Sequence, residues 1–211
     1  MKIALINGSP KMKKSASEYI LTSLKSLLPD ELEFSEFKFN FTSLSNADLI
    51  EITDSDLMIF AFPLYVDGIP SHLLRCLHQL ETYLNTNKVK KIRVYAIVNC
   101  GFYEGHQARI ALDLMKNWCS RARLEWGQGI GIGGGGFLAS FEGNSKDQGP
   151  LKSLWDALKN MAVNIAEQHE NENIYTVPNF PKLIYTLGGN MGWHKQIKEN
   201  GLRRKDIYLK K

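Results

Sequence analysis

The chain has 211 residues, of which 44% are hydrophobic and 23% charged, so it can bury one sizeable core like an ordinary globular protein. The residues from Lys195 onward carry a net charge of +5, which leaves −1 for the rest of a chain whose total is +4. This distribution argues against a nucleic-acid-binding face on the main body, and we expect neither a nucleic acid nor a membrane as partner.

Cysteine use points to a reducing compartment. The three cysteines, Cys76, Cys100 and Cys119, are far apart, and neither they nor the histidines show the spacing of metal ligands. The first apolar run is too short for a signal peptide, and no stretch is long enough to span a membrane. We therefore expect a cytoplasmic protein without a disulfide framework or a metal site.

The first seventeen residues predict a strand, a polar loop and the start of a helix. Residues 3–6 are a short apolar run, typical of a buried parallel strand, and Asn-Gly-Ser-Pro ends it. Lysines and serines follow, and Ser15 with Glu18 three residues later matches a capping box. Free backbone N–H groups and the helix dipole favour a phosphate there, although a generic loop between strand and helix has the same parts.

Strands and helices alternate along the chain as far as residue 170. Apolar runs or alternating patterns predict further strands, the first of them near a sheet edge, at 31–41, 56–62, 91–99 and 126–137. Helical spacing predicts helices at 19–28, 73–84, 107–120 and 150–168. Residues 45–51 are expected to form a short polar connection or a single helical turn. The order predicts an α/β fold with a doubly wound, five-stranded parallel sheet.

Three loops of unusual composition follow strands of this sheet, at 7–17, 63–70 and 99–105. Because ligands bind beyond the carboxyl ends of parallel strands, we expect the three loops to share one site. The second and third loops carry the aromatic residues Tyr65, Phe102 and Tyr103. Such residues suit a flat heteroaromatic ring, although they can equally serve only to pack the loops. A phosphate loop beside an aromatic wall predicts a mononucleotide with a planar ring system.

The segments GSPK…SAS and FPLYVDGIPSHL, after the first and third strands, resemble the flavodoxin-like NADPH-dependent FMN reductase family. The glycine-rich GIGIGGGGF and the end of the chain, with YTVPNFP, Trp193 and ENGL, resemble one bacterial subgroup of flavin NAD(P)H-dependent oxidoreductases. The resemblance covers nearly the whole chain. It implies a flavodoxin-like sheet in the order 2-1-3-4-5, with an FMN-binding domain at 1–170 and a C-terminal extension at 171–211.

The resemblance also implies the residues that contact the cofactor. The FMN phosphate is expected at the first loop, on Ser9, Lys11, Ser15, Ala16 and Ser17. The ring is expected between the other two loops, against Pro63, Leu64, Tyr65, Val66 and Asp67 on one side and Asn99, Cys100, Gly101 and Phe102 on the other. Relatives often have Asn-Thr where this chain has Ala16-Ser17, which loses an amide and keeps a hydroxyl.

By the same resemblance, the enzyme passes hydride from NAD(P)H through FMN to a quinone, flavin, nitro or azo acceptor. No catalytic side chain is assigned, because the cofactor performs the chemistry. A flavodoxin-type electron carrier and a flavin-free interaction protein remain alternatives.

Two regions allow more than one interpretation. The Gly129-x-Gly131-x-x-Gly134 pattern formally matches a dinucleotide fingerprint, but it lies far from the first strand; close packing of a strand is favoured over a glycine hinge at the ring. The extension carries apolar residues that need cover, which predicts a homodimer, at Phe180, Leu183, Ile184, Tyr185, Leu187 and Trp193. Its basic end is expected to be solvated, to contact the 2′-phosphate of NADPH, or to bind an acidic partner.

Overall fold

The computed structural model describes residues 1–141, 149–203 and 205–206 of the chain. Its centre is a parallel sheet in the order β2-β1-β3-β4-β5-β6. The strands are β1 Lys2–Asn7, β2 Glu33–Lys38, β3 Leu57–Pro63, β4 Arg93–Asn99, β5 Glu125–Ile132 and β6 Ile174–Thr176. The α-helices of the described residues are α1 Ala16–Lys25, α2 Asn46–Thr53, α3 Ser71–Thr86, α4 Arg109–Arg121, α5 Lys152–Glu167 and α6 Lys182–Glu199.

Two apolar layers, one on each face of the sheet, form the core. Helices α1 and α5 cover one face, where they pack on Ile3 and Leu5 of β1. Helices α2, α3 and α4 cover the other, where they pack on Ala4 and Ile6. Since both faces are covered, the central strand β3 is apolar at almost every position, and its residues Leu57 to Phe62 are buried. The doubly wound α/β architecture is confirmed.

The sheet contains one strand more than the sequence predicts. The first five strands lie in the order 2-1-3-4-5, and β2 lies at the edge with a half-exposed pattern, as expected. The sixth strand pairs in parallel with β5, where Ile174 is opposite Ile130. Three residues are too few to show a strand period, which is why the pattern missed β6. The extension predicted from residue 171 thus begins by adding to the sheet, and the domain division stays a prediction.

Helix α2 is longer than the short polar connection expected there. Its start is stabilised by a capping box, in which the Ser45 hydroxyl accepts from the Asp48 backbone N–H at 3.1 Å. In return, the Asp48 carboxylate accepts from the Ser45 backbone N–H at 3.0 Å. Two satisfied backbone donors stabilise the first turn, so a helix of eight residues forms where apolar periodicity is weak.

The glycines in and just after β5 allow close packing, as favoured from the sequence. A Cβ added at Gly133 would collide with the carbonyl oxygen of Tyr103, and one at Gly131 would collide with that of Gly105. The segment after β4 therefore lies directly against the end of β5. This approach positions the third loop.

The end of the described chain differs most from expectation. Helix α6 has 18 residues, whereas the sequence suggested helix only around 193–200, and none of its residues is buried. Trp193 is 67% exposed, and Leu183, Ile184 and Leu187 are exposed as well. Phe180 and Tyr185, by contrast, are half-buried and pack on Phe137. No helix of the described part of the chain is long and apolar enough to cross a membrane. Of the basic end, Arg204, Lys210 and Lys211 lie outside the described residues.

Candidate functional site

Three loops meet at the carboxyl edge of the sheet. Strands β1, β3 and β4 are neighbours there, and β2 and β3 lie on opposite sides of β1, which makes this a topological switch point. The Gly8 backbone N–H donates to the Ala61 carbonyl at 2.8 Å, and the Leu64 N–H donates to the Asn99 carbonyl at 2.8 Å. The three loops singled out in the sequence therefore adjoin one another.

The first loop is closed around Asn7, the last residue of β1. The Asn7 amide donates to the Ser15 hydroxyl oxygen at 3.3 Å, and its Oδ1 accepts from the Ser9 backbone N–H at 3.0 Å. Ser15 is also the N-cap of α1 and accepts from the Glu18 N–H at 3.0 Å. The Lys11 N–H donates to the Ser9 hydroxyl oxygen at 3.3 Å. The result is a folded loop of hydroxyls and backbone donors at a helix N-terminus.

Ser17 and Cys100 are turned into the protein. Ser17 is 1% exposed, and its hydroxyl donates to Oδ1 of Asn99 at 3.0 Å. Cys100 is 2% exposed, and its thiol lies 3.6 Å from the Glu104 carbonyl oxygen. Burial raises the pKa of the Cys100 thiol. Both side chains shape the loops from within, and their direct contact with a cofactor stays a prediction.

The second loop contains a strained two-residue turn. Tyr65 and Gly68 exchange two backbone hydrogen bonds of 3.1 and 3.0 Å around Val66 and Asp67. Both central residues have left-handed backbone angles, φ 48° and 58°, as a type I′ turn requires. This conformation is costly for Val66 because valine is β-branched. The Val66 side chain is fully exposed. Tyr65 is also exposed, and half-buried Pro63 and Leu64 lead into the turn.

The third loop presents Gly101 and Phe102 at the surface. Phe102 is 52% exposed, while its carbonyl accepts from the Gly134 N–H at 2.6 Å. The Cys100 carbonyl accepts from the Gly135 N–H at 2.7 Å. The glycine run after β5 therefore supports this loop from behind, and Phe102 remains free to face a ligand.

Residues far along the chain also belong to this edge. The Tyr185 hydroxyl donates to the Gly101 carbonyl at 2.5 Å, and Lys182 pairs with Glu104 at 2.6 Å. That hydrogen bond from Lys182 holds the pKa of Glu104 below its usual value. Sequence reasoning did not assign Tyr185 or Asn7 to the site. The position of Asn7 at the end of an apolar strand was a usable signal, whereas no local pattern marks Tyr185.

The donor set fits FMN. The first loop offers the hydroxyls of Ser9 and Ser15, which are themselves buried, with backbone donors and the exposed cation of Lys11, and this set suits a phosphate. A side chain at Gly8 would lie 2.7 Å from Leu73, so the loop backbone packs closely on α3. Tyr65, Val66 and Phe102 are exposed on the two adjoining loops, and apolar side chains of this kind suit a planar ring. Among the described residues, no group of His, Cys, Asp and Glu is arranged to hold a metal ion.

No family model matches the chain, and no curated protein matches its sequence. Solved structures do match. NAD(P)H:quinone oxidoreductase from Methanothermobacter marburgensis shares 12% identity over 81% of this chain and 98% of that one, with a TM-score of 0.59. A flavodoxin from Streptococcus pneumoniae TIGR4 shares 14% identity over 79% and 99%, with a TM-score of 0.52.

Rubredoxin oxygen:oxidoreductase from Desulfovibrio gigas matches with a TM-score of 0.56 and 16% identity. The match covers 79% of this chain and 35% of that protein, so the chain spans about a third of its length. At such identities the comparisons establish the fold. The chain has the flavodoxin-like fold, a doubly wound parallel sheet whose central strand order is 2-1-3-4-5.

Proposed function

We propose that this protein is an FMN-dependent oxidoreductase that passes hydride from NADH or NADPH through FMN to a quinone, flavin, nitro or azo compound. The observation that carries the proposal is the folded hydroxyl-rich loop between Asn7 and Ser15, with exposed apolar side chains on the adjoining loops at the switch point. The fold match to NAD(P)H:quinone oxidoreductase over nearly all of that protein supports the same class of activity.

In this proposal the first loop binds the phosphate. The hydroxyls of Ser9 and Ser15 and the backbone N–H groups of the loop donate to the phosphate oxygens, and Lys11 neutralises their charge. Ala16 begins α1 and contributes its backbone N–H beside the dipole of the helix. Ser17 keeps Asn99 in place through their hydrogen bond. The loop thus anchors FMN by its charged end.

The second and third loops hold the ring and exclude water from its sides. Pro63, Leu64, Tyr65 and Val66 provide one wall, while Gly101 and Phe102 provide the other. Backbone N–H groups at Asp67 and Gly101 are the candidates to bond to ring nitrogens. When bound, FMN supplies the hydride-accepting and hydride-donating chemistry, so no acidic or basic side chain is needed for that transfer.

A flavodoxin-type electron carrier is the second candidate, and the match to the S. pneumoniae flavodoxin over 99% of its length favours it. Carriers usually surround the ring with acidic residues. Here the loop that begins the site exposes Lys11, Lys13 and Lys14. That charge favours an enzyme that attracts an anionic nicotinamide nucleotide.

An anaerobic titration separates these candidates. The purified chain is loaded with FMN and freed of excess cofactor, then titrated with NADPH and, separately, with NADH. We expect one of them to bleach the visible flavin absorbance, and an added quinone to restore it. Bleaching by dithionite alone would favour the carrier. An absence of bound flavin at saturating FMN would contradict both candidates.

We also propose that the protein works as a cytoplasmic homodimer. Its three cysteines are free and buried, which suits a reducing compartment. Helix α6 turns Tyr185 towards the body and exposes Leu183, Leu187 and Met191 to solvent. A second copy that packs on this face would cover these side chains.

A further inference from the structure

The segment between β6 and the second turn of α6 crosses the third loop. We call residues 177–185 the strap. We propose that the strap is part of the flavin site, an inference that rests on the proposed function. In it, Tyr185 is a positioning residue that sets the orientation of the peptide between Gly101 and Phe102 at the edge of the flavin ring.

The strap contacts the third loop at successive points. The Tyr103 hydroxyl donates to the Phe180 carbonyl at 2.6 Å. The Lys182 ammonium donates to the Glu104 carboxylate at 2.6 Å. The Tyr185 hydroxyl then reaches the Gly101 carbonyl. The loop is thus held by the strap along one side, in addition to the glycine run after β5 that lies behind it.

The strap is itself anchored on the rest of the domain, so it can fix the conformation of the third loop. The Asn179 N–H donates to the Pro150 carbonyl at 3.1 Å, and the Ser153 hydroxyl donates to the Asn179 side chain at 3.0 Å. The ring of Tyr185 packs on Phe137 with a centroid distance of 4.9 Å. These contacts, together with the edge contact of the Tyr185 ring on the Tyr103 ring at a centroid distance of 5.6 Å, hold the Tyr185 hydroxyl within reach of the Gly101 carbonyl. The hydroxyl can therefore select one orientation of the peptide.

Gly101 is the residue of the third loop whose peptide orientation most depends on a hydrogen bond from outside the loop. It is exposed, and a side chain added there would meet nothing within 4 Å, so no side-chain packing holds this residue in place. Glycine also gives this peptide a wide choice of backbone angles. In a trans peptide the carbonyl and the following N–H point in opposite directions. Because Tyr185 engages the Gly101 carbonyl, the Phe102 N–H points away from α6.

A backbone donor fixed in this way can act on a bound flavin. Preorganised N–H groups stabilise negative charge without reorganising when that charge appears. The flavin ring becomes more electron-rich when it is reduced, so a fixed donor at its edge favours the reduced form. Tyr185 therefore affects both the affinity for FMN and its reduction potential, although its own hydroxyl is bonded to the protein.

The variant Tyr185→Phe removes this hydroxyl and keeps the packing of the ring on Phe137. We expect FMN to bind roughly two- to tenfold more weakly, the effect of one lost hydrogen bond, with a midpoint potential shifted to a more negative value. Lys182→Met breaks an exposed ion pair and is expected to change the affinity less than Tyr185→Phe does. Tyr83→Phe, at the far end of α3, is the matched control and should behave like the unmodified chain.

Amide hydrogen exchange of the flavin-free protein gives an independent readout. We expect residues 101–104 to exchange faster in Tyr185→Phe and at an unchanged rate in Tyr83→Phe. If Tyr185→Phe unfolds, Tyr103→Phe is used in its place, because it removes the hydrogen bond to the Phe180 carbonyl near the other end of the strap. The exchange rates, the FMN affinity and the midpoint potential are measured for it in the same way. Faster exchange with unchanged affinity and potential would overturn the proposal, because the strap would then be only a structural support.

The two proposals fail in different ways. If the unmodified chain binds no FMN, the proposed function is wrong, whatever the exchange rates show. If the unmodified chain binds FMN and Tyr185→Phe matches it in affinity, potential and exchange, the positioning role is wrong and the proposed function stands.

Discussion

The hydroxyl of Ser17 donates a hydrogen bond to Oδ1 of Asn99 across 3.0 Å, although the two residues are 82 positions apart. Ser17 lies in the first turn of α1, and Asn99 ends β4. Their contact joins the first and third loops of the candidate site beneath its surface. A residue expected to touch the phosphate thus has a second role, which is to hold the two loops together.

Ser17→Ala tests this link. The change leaves the buried amide oxygen of Asn99 without this donor, which costs about 1–3 kcal/mol of unfolding free energy. We also expect weaker FMN binding, because the two loops lose their connection. Urea denaturation and flavin fluorescence measure the two effects. Ser23→Ala, at another buried serine of α1, is the control; equal losses in both variants would contradict the special role of Ser17.

Lys11→Met tests the phosphate assignment. Since only FMN carries a phosphate, the variant should lose about three- to tenfold in affinity for FMN and keep its affinity for riboflavin. The difference should shrink as salt is added, since the lysine is exposed. Isothermal titration with both flavins measures it. Lys88→Met, after α3, is the control, and an equal loss for riboflavin would place the phosphate elsewhere.

Val66→Asn is expected to stabilise the fold. Valine is strained at φ 48°, whereas asparagine tolerates the left-handed region, so the unfolding free energy should rise by about 1 kcal/mol. Flavin affinity should fall in the same variant, because an apolar part of the ring wall is lost. Val163→Asn, on the exposed face of α5, should show neither effect. A variant less stable than the unmodified chain would contradict the inference of strain.

The three cysteines are expected to react slowly in the folded protein. Burial raises the pKa of Cys76 to about 11, and it raises the pKa of Cys100 and Cys119 as well. Because the thiolate is the reactive form, little of it exists at pH 8. Ellman's reagent should therefore detect three thiols rapidly in guanidinium and only slowly without it. Rapid reaction of Cys100 in the native protein would show that the third loop opens.

Leu187→Asp tests the homodimer. Leu187 is 54% exposed on the outward face of α6, so a charge there should disrupt a dimer without harming the fold of one chain. Analytical ultracentrifugation should show a shift from dimer to monomer. Ile50→Asp, at an equally exposed apolar residue of α2, should leave the dimer intact. A monomeric unmodified chain would refute this proposal directly.

Local patterns were enough to predict the framework of the fold and the three loops. Residues 3–6 and 56–62 are apolar runs ended by turn residues, and such runs become central parallel strands wherever helices cover both faces. The edge position of β2 followed from its alternating pattern. The capping box at Ser45 was equally local, yet weak apolar periodicity left α2 unassigned as a helix.

Only the tertiary structure decided how the loops are held. The pairing of Ser17 with Asn99, the addition of β6, and the contact of Tyr185 with Gly101 all join residues distant in sequence. No window of the chain contains both partners of such a contact, so no periodicity or spacing reports it. Strand propensity and capping act between near neighbours, whereas these contacts exist because the sheet brings separate strand ends to one edge.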